Sequence, residues 1–257
     1  MIQARHTIKI SIRNVTKTFQ AGAFAALSGL DLDIHEGEFL AIVGPSGCGK
    51  STLLDLIAGL STPTSGEIDG APGADFQQYA LFPWRTAQAN VEFGLEVRAV
   101  PGGERARRAR EHLALVGLGG CEGRYPYELS DGMRLRVAIA RSLAFDQDVL
   151  LMDEPFAALD ARTRRSLQDD LLRVWRHTGK TVVLVTHGID EAVRLGQRVA
   201  VMTSGPGRIK EIVDVTFDAR ASDPRADPAF REYRHRIWSL LRDETAARER
   251  KVAIAHG

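Results

Sequence analysis

Two groups of residues in this sequence have side chains and spacing suited to phosphate chemistry. The first is the segment 44–51, with the sequence GPSGCGKS, and the second is the acidic pair Asp153 and Glu154. The backbone N–H groups of a glycine-rich loop can surround an anion, and a lysine ammonium can contact it. Carboxylates that share such a site can hold Mg²⁺ or activate a water molecule. These residue types together predict phosphoryl-transfer chemistry.

The segment 44–51 matches the phosphate-loop pattern G-x-x-x-x-G-K-S. The apolar run 39–43 before it predicts a strand, and residues 52–60 after it predict a helix, which is the context that such a loop requires. Lys50 is then placed to contact the β- and γ-phosphates and Ser51 to coordinate Mg²⁺. A plain glycine-rich turn is the alternative. The candidate nucleotide-binding residues here are Gly44, Pro45, Ser46, Gly47, Cys48, Gly49, Lys50, Ser51 and Thr52.

The acidic pair ends the apolar run 149–152, which predicts a buried strand. In a doubly wound sheet, the carboxyl ends of the strands face the same crevice as the phosphate loop. Asp153 is therefore predicted to hold Mg²⁺, and Glu154 to orient and deprotonate a water opposite the γ-phosphate. An ordinary acidic strand end is the alternative.

Two further side chains are candidates on weaker grounds. His187 follows the predicted strand 181–186. A lone histidine is more often structural, but its place at the same sheet edge as Asp153 predicts a contact with the γ-phosphate. Phe19 stands near a predicted turn, where its ring could stack on a nucleobase or belong to the core. Both interpretations of Phe19 stay open.

The composition indicates a soluble globular protein, because 44% of the residues are hydrophobic and 26% are charged. Lys plus Arg number 34 and Asp plus Glu 33, so no global basic field favours nucleic acid as a partner. No segment approaches the roughly 18 consecutive apolar residues of a membrane span, and the N-terminus lacks the apolar region of a signal peptide. Two cysteines, Cys48 and Cys121, are too few for a disulfide framework. We therefore expect the protein on the cytoplasmic side.

The elements that must position these residues are predicted from the apolar pattern. Residues 8–12 and 30–34 alternate like strands, whereas the segment 61–74 is rich in Pro, Gly and Ser and predicts a loop with little strand. Residues 86–118 have a helical period, and Ser130 is placed as the N-cap of another helix. The remaining predictions are strands at 181–186, 198–202 and 208–215 and a last amphipathic helix with Tyr233, Ile237, Leu240 and Leu241 on one face.

An aromatic-rich stretch follows Gln77 and contains Tyr79, Phe82 and Trp84. A surface loop that carries three aromatic side chains favours an interface with a partner. The alternative is that these rings fill a core.

The order of these motifs from residue 8 to about residue 215 resembles the ATP-binding subunit of an ABC transporter. The segment 44–51 resembles the Walker A motif, and 149–154 resembles the Walker B motif with Glu154 as its catalytic residue. The resemblance implies four further correspondences. Gln77 corresponds to the Q-loop glutamine, which joins Mg²⁺ and the attacking water, and the segment from Leu129 to Met133 corresponds to the signature motif. Asp160 corresponds to the D-loop, and His187 corresponds to the switch histidine.

More narrowly, three short segments resemble the branch of nitrate, sulfonate and taurine importers: 81–84 (LFPW), 153–156 (DEPF) and 205–209 (GPGRI). The resemblance implies an α/β P-loop NTPase fold with a mainly parallel core sheet flanked by helices, an N-terminal antiparallel β subdomain and an inserted helical subdomain. It places the ATPase domain at residues 7–218, the helical subdomain at about 85–145, and a helical extension and tail at 219–257.

The function that the resemblance implies is hydrolysis of ATP with Mg²⁺, coupled to uptake of a small anionic or sulfonate- or nitrate-like solute through a separate permease. The partners would be a second copy of the chain, a membrane permease that contacts residues 77–84, and indirectly a secreted or periplasmic solute-binding protein. The protein would lie peripherally at the cytoplasmic face of the inner membrane. In the homodimer, Ser130 and Gly132 would contact the ATP of the partner copy.

This sequence departs from the family pattern within the signature, where Asp131 stands in place of a glycine and Leu135 in place of a glutamine. An acid beside ATP phosphates opposes the anion, although it also strengthens a helix N-terminus. The resemblance leaves two alternatives: a soluble ATP-driven clamp or scaffold of the same fold, and a cassette that does not hydrolyse ATP. A GTPase is disfavoured, because Asn14 and Asn90 lie in no guanine-binding NKxD motif.

Overall fold

The structure is a computed structural model that describes residues 7–19, 24–70, 75–77, 81–216 and 227–255. The chain divides into two compact units, the first formed by Met1–Ala74 with Thr181–Gly257 and the second by Asp75–Lys180. The domain boundaries expected at residues 85, 145 and 218 stay predictions.

The elements of the first unit come from both ends of the chain, with the second unit inserted between them. The chain begins with β1 (Ile8–Phe19), β2 (Phe24–His35), β3 (Phe39–Val43), α1 (Lys50–Ile57) and β4 (Ser65–Asp69). The second unit contains β5 (Asp75–Gln77), α2 (Ala87–Val97), α3 (Gly102–Leu115), α4 (Asp131–Ala144), β6 (Val149–Asp153) and α5 (Ala161–Thr178). The first unit then resumes with β7 (Thr181–Val185), α6 (Ile189–Leu195), β8 (Arg198–Met202), β9 (Ile209–Asp214) and α7 (Pro228–Ala255).

The parallel strands of the first unit position the phosphate loop. β3 pairs in parallel with β7 on one side and with β8 on the other, and β9 is antiparallel to β8. Every residue of β3 and of β7 is buried. A strand covered on both faces has a continuous apolar sequence rather than an alternating one. The predicted strand over 39–43 therefore has the same bounds as the observed β3.

An antiparallel sheet of order β2-β1-β4 forms the other part of the first unit. The prediction of a loop with little strand over 61–74 is wrong for residues 65–69, because β4 pairs with β1 from Ser11 opposite Asp69 to Thr16 opposite Ser65, and residues 71–74 lie outside the described residues. β4 is almost wholly exposed and so lacks the apolar alternation by which strands are recognised. Its strand conformation comes from the hydrogen bonds with β1.

The second unit, where it is described, combines a short parallel strand pair with a group of α-helices. β5 pairs in parallel with β6, and α4 packs against α2, α3 and α5. Helices α2, α4 and α5 have side-chain caps at Thr86, Ser130 and Asp160, whose oxygens accept backbone N–H groups of the first turn. The predicted N-cap at Ser130 is confirmed, because its hydroxyl accepts the N–H of Met133 at 3.3 Å.

Over the described ranges, no helix is both long enough and apolar enough to cross a bilayer.

Candidate nucleotide-binding and hydrolysis site

The phosphate loop lies between β3 and α1, in the strand–loop–helix order that the sequence predicts. α1 begins at Lys50, and Gly49 precedes it with a left-handed φ of 98°. A Cβ on Gly49 would lie 2.7 Å from the carbonyl oxygen of Ala26, so glycine is required there both by conformation and by space. Gly47 is also left-handed, with φ 75°, but a Cβ there would meet open space. The loop is therefore packed on one side and open on the other.

Lys50 is 5% exposed, and its ammonium group lies against the loop itself. Its Nζ donates to the carbonyl oxygens of Gly44 at 2.9 Å and Pro45 at 3.0 Å. Its third donor points to Cys48 Sγ at 3.8 Å, a weak acceptor, so an anion can take that position while the ammonium keeps its two bonds to the loop carbonyls. Cys48 is buried beside it, and this burial raises the pKa of the Cys48 thiol, which keeps the thiol neutral at physiological pH.

His187 lies at the same sheet edge as the phosphate loop. Ile42 in β3 is opposite Val185 in β7, and the next amide, Thr186 N–H, donates to the carbonyl of Ile42 at 3.1 Å. His187 therefore follows β7 where the phosphate loop follows β3. Its side chain is exposed. The γ-phosphate contact of His187 stays a prediction.

Phe19 is the last residue of β1 and lies opposite Phe24, the first residue of β2. Its ring is 42% exposed, and the Lys17 ammonium lies 5.2 Å from the ring centroid. The ring is thus available to a planar ligand, and stacking on a nucleobase stays a prediction.

Asp153 ends β6 and has the feature expected of a metal ligand. Its Oδ1 is buried and, within the part of the chain that the structure describes, has no hydrogen-bond partner. An unsatisfied buried carboxylate oxygen is costly, and a bound cation removes that cost. The residue fits the Mg²⁺ role that the sequence predicts for it.

Glu154 has a left-handed backbone with φ 48°, which is unfavourable for a residue with a side chain. The following turn holds it there, since its carbonyl accepts the N–H of Ala157 at 3.2 Å. Backbone strain of this kind concentrates at functional sites.

In β5, Gln77 is opposite Met152, which places Gln77 at the same strand ends as Asp153 and Glu154. The second unit therefore brings these three residues to one edge.

The N-termini of α4 and α5 lie against each other. A Cβ on Gly132 would be 2.9 Å from Cγ2 of Thr163 and 3.2 Å from Cδ1 of Leu167, so only glycine allows this approach. Asp160 caps α5, and its Oδ1 accepts the N–H groups of Arg162 and Thr163 at 3.0 Å each. The hydrogen bonds from Thr163 lower the pKa of the Asp160 carboxyl. The predicted nucleotide contacts Ser130, Gly132 and Asp160 thus come from adjoining helix starts.

Asp131 forms an ion pair with Arg134 in the first turn of α4. Arg134 also donates to the carbonyls of Pro126 at 3.2 Å and Leu129 at 3.1 Å. The Asp131 carboxylate, which departs from the family pattern, is therefore paired with the Arg134 guanidinium, and hydrogen bonds hold that guanidinium to the preceding turn.

The aromatic stretch is described from residue 81 onward, and Tyr79 lies outside the described residues. Trp84 is 71% exposed. Phe82 is partly buried, with its ring centroid 5.5 Å from that of Trp84 and 4.8 Å from that of Phe93. The core alternative is therefore wrong for Trp84, whereas Phe82 packs beneath it.

Sequence reasoning missed one contributor to the site, the loop of residues 203–208 between β8 and β9. A Cβ on Gly207 would lie 2.0 Å from the carbonyl oxygen of Cys48 in the phosphate loop. The run Gly205, Pro206 and Gly207 was the available signal, since glycine at a close backbone approach indicates such a contact.

Comparison with known proteins decides the family. The family model for the ABC transporter matches residues 27–157, a little over half of the 257 residues. The chain belongs to this family. An uncharacterized ABC transporter ATP-binding protein of Methanocaldococcus jannaschii is 51% identical, with 93% of this chain and 94% of the relative covered. A nitrate import ATP-binding protein of Synechocystis is 42% identical, with 95% and 99% covered.

Among solved structures, a dimeric ATP-binding cassette in a post-hydrolysis state with ADP and Pi bound is 37% identical, with a TM-score of 0.70. The alignment covers 81% of this chain and 99% of the chain of the solved structure. The predicted ABC-type P-loop NTPase fold and the likeness to the nitrate importer branch are confirmed. The protein is an ABC-type ATPase that uses ATP and Mg²⁺, and neither the clamp nor the non-hydrolysing cassette is favoured.

Proposed function

We propose that this ABC ATPase is the ATP-hydrolysing subunit of an importer for a small anionic solute, of the nitrate or sulfonate type. The observation that supports this most is the 42% identity to a nitrate import protein over nearly the full length of both chains. The solute itself is chosen by other subunits, so the proposal concerns the class of solute. A permease and a secreted or periplasmic solute-binding protein complete the system.

In the proposed mechanism, the backbone of residues 44–51 holds the phosphates of ATP and Lys50 contacts the terminal ones. Ser51, Asp153 and Gln77 would hold Mg²⁺. The unsatisfied Oδ1 of Asp153 supports this assignment. Bound Mg²⁺ neutralises charge that develops on the phosphate oxygens.

Hydrolysis requires a base for the attacking water and a donor for the γ-phosphate. We assign the first role to Glu154, which accepts the proton of the water, and the second to His187. The strained backbone of Glu154 supports its assignment, and the register of β7 with β3 supports that of His187. General base catalysis by one positioned carboxylate contributes about 10²- to 10⁴-fold in rate.

The proposed active form is a head-to-tail homodimer in which Ser130, Gly132 and Asp160 contribute to the ATP site of the partner copy. The dimeric state of the related cassette supports this assembly. The N-terminus of α4 offers N–H donors and about half a positive charge, which suits a phosphate group.

The membrane partner would contact the loop 77–84. Trp84 supports this assignment because exposed tryptophan is typical of interface centres. Trp84 packs against the Phe82 ring, and the Arg85 guanidinium lies 5.5 Å from the centroid of that ring. The ATPase would then lie peripherally at the cytoplasmic face of the membrane.

The experiment pairs Trp84→Ala with Trp238→Ala, a second exposed tryptophan that lies on α7 in the other unit. Each variant is co-expressed with the proposed permease and reconstituted in proteoliposomes. We expect Trp84→Ala to abolish nitrate or taurine uptake while the basal ATPase rate of the purified subunit stays unchanged, and Trp238→Ala to retain uptake. Unchanged uptake by Trp84→Ala would remove the docking role. Failure of the wild type to drive uptake of either nitrate or taurine would overturn the proposed solute class.

A further inference from the structure

The loop of residues 203–208 supports the phosphate loop from behind. Besides the close approach of Gly207 to the Cys48 carbonyl, Gly207 N–H donates to the carbonyl of Ala26 at 2.8 Å, and its own carbonyl accepts the N–H of Ser28 at 3.1 Å. A Cβ on Gly205 would lie 3.5 Å from the carbonyl of Gly47, which is ordinary contact distance. A shift of residues 204–207 would therefore displace the backbone of Gly47 and Cys48.

A carboxylate on α7 holds the start of this loop. Glu244 accepts the backbone N–H of Ser204 at 2.9 Å through Oε2 and pairs with the Lys210 ammonium at 2.8 Å through Oε1. Lys210 also donates to the carbonyl of Leu240, so the cation is fixed to the same helix. The Glu244 side chain is only 14% exposed. Hydrogen bonds to a charged acceptor with little exposure are stronger than neutral surface ones.

The helix that carries Glu244 is itself anchored in the core of the first unit. Phe230 and Ile237 of α7 are buried against Val199 and Val201 of β8, the strand that leads into the loop. Leu240 and Leu241 pack at the edge of this cluster. α7 is therefore a fixed support from which Glu244 can position the loop.

We propose that Glu244 is a positioning residue for ATP binding, which holds residues 204–207 against the phosphate loop and so keeps Gly47 and Cys48 in the conformation that binds phosphate. The contact runs from α7 through Ser204 and Gly207 to Cys48, all within one compact unit. This inference rests on ATP binding by the phosphate loop and is independent of the transported solute.

The test measures the binding of Mg²⁺ with a non-hydrolysable ATP analogue to the full chain by calorimetry, together with KM and kcat for ATP. In Glu244→Ala the Ser204 N–H loses its acceptor, and we expect the Kd and KM to rise about three- to tenfold, which lies within the range for residues that couple to a site through packed neighbours. We expect kcat to change less than about twofold, since the reacting groups are untouched. Glu244→Gln keeps an acceptor oxygen and should restore most of the affinity.

The matched control is Glu211→Gln, which removes the ion pair between β9 and Arg236 of α7 and leaves the hydrogen bond from Ser204 to Glu244 in place. It should bind the nucleotide like the wild type. If Glu244→Ala does not fold, Glu244→Met keeps the side-chain length without the acceptor and serves in its place. The proposal is overturned if folded Glu244→Ala or Glu244→Met binds the nucleotide with wild-type affinity. It is also overturned if Glu211→Gln loses as much nucleotide affinity as Glu244→Ala. Neither result bears on solute uptake, which a separate reconstitution measures.

Discussion

The backbone N–H of Thr186 donates to the carbonyl of Ile42 at 3.1 Å. This bond lies where β7 and β3 both leave the sheet, so it fixes the relative position of the two loops beyond the strands. His187 comes directly after Thr186, and Gly44 comes two residues after Ile42. The switch-type histidine and the first residue of the phosphate loop therefore start from neighbouring positions.

We predict that His187→Ala retains ATP binding but lowers the rate of ATP hydrolysis by about 10²-fold, the typical cost of removing one donor to a developing charge. The measurement is kcat for ATP together with nucleotide affinity. His177→Ala, which removes an exposed histidine near the end of α5, is the control and should hydrolyse ATP at the wild-type rate. Hydrolysis by His187→Ala within twofold of wild type would exclude the γ-phosphate role.

The buried strands are predictable because their sequences are continuously apolar, as in β3 and β7. The length of β1 and β2 is not predictable from alternation. Asn14 and Gly29 have left-handed φ of 48° and 57° inside these strands, and the pairing register shifts beside Asn14. A bulge of this kind breaks the alternation of period two that marks a strand in the sequence. Gly29 consequently resembles a break between elements in the sequence, whereas it lies within β2.

The candidate site is predictable as a set of motifs but not as a set of contacts. The strand ends of Asp153 and His187 follow from apolar runs, and Ser130 follows from capping chemistry. The support that Gly207 gives to Cys48 joins residues far apart in the chain, and no local pattern contains that information. The strained backbone of Glu154 likewise has no signature in its residue type.

The ion pair between Asp131 and Arg134 predicts how this signature tolerates an acid. We expect Arg134→Ala to raise the KM for ATP, because the remaining Asp131 carboxylate repels the phosphates at the dimer site. Adding Asp131→Asn to Arg134→Ala should restore the KM, whereas Asp131→Asn alone should change it less than about threefold, since an exposed pair is worth little. A double variant as weak as Arg134→Ala would show that Arg134 acts by holding the Pro126 and Leu129 carbonyls instead.

The cap at Asp160 predicts a pH dependence of stability. Its pKa is lowered from the ordinary 3.8 by hydrogen bonds from Thr163, so the folded state favours the charged form. The cap therefore stabilises the fold above the unfolded pKa, and this contribution is lost as the pH falls through the lowered folded pKa. Asp160→Asn caps without titrating. As the pH is lowered to about 3, the urea midpoint of unfolding should therefore fall more for the wild type than for Asp160→Asn. A constant difference would contradict this role.

Glu154 is proposed to activate the water that attacks ATP bound at the phosphate loop, and the most direct test is Glu154→Gln with Glu111→Gln as an exposed control. We predict that Glu154→Gln binds Mg²⁺ and ATP like the wild type and accumulates as a dimer in gel filtration with ATP. Its hydrolysis rate should fall at least about 10²-fold, as expected for loss of a general base. Glu111→Gln should match the wild type. Hydrolysis by Glu154→Gln at the wild-type rate would contradict the catalytic role of Glu154.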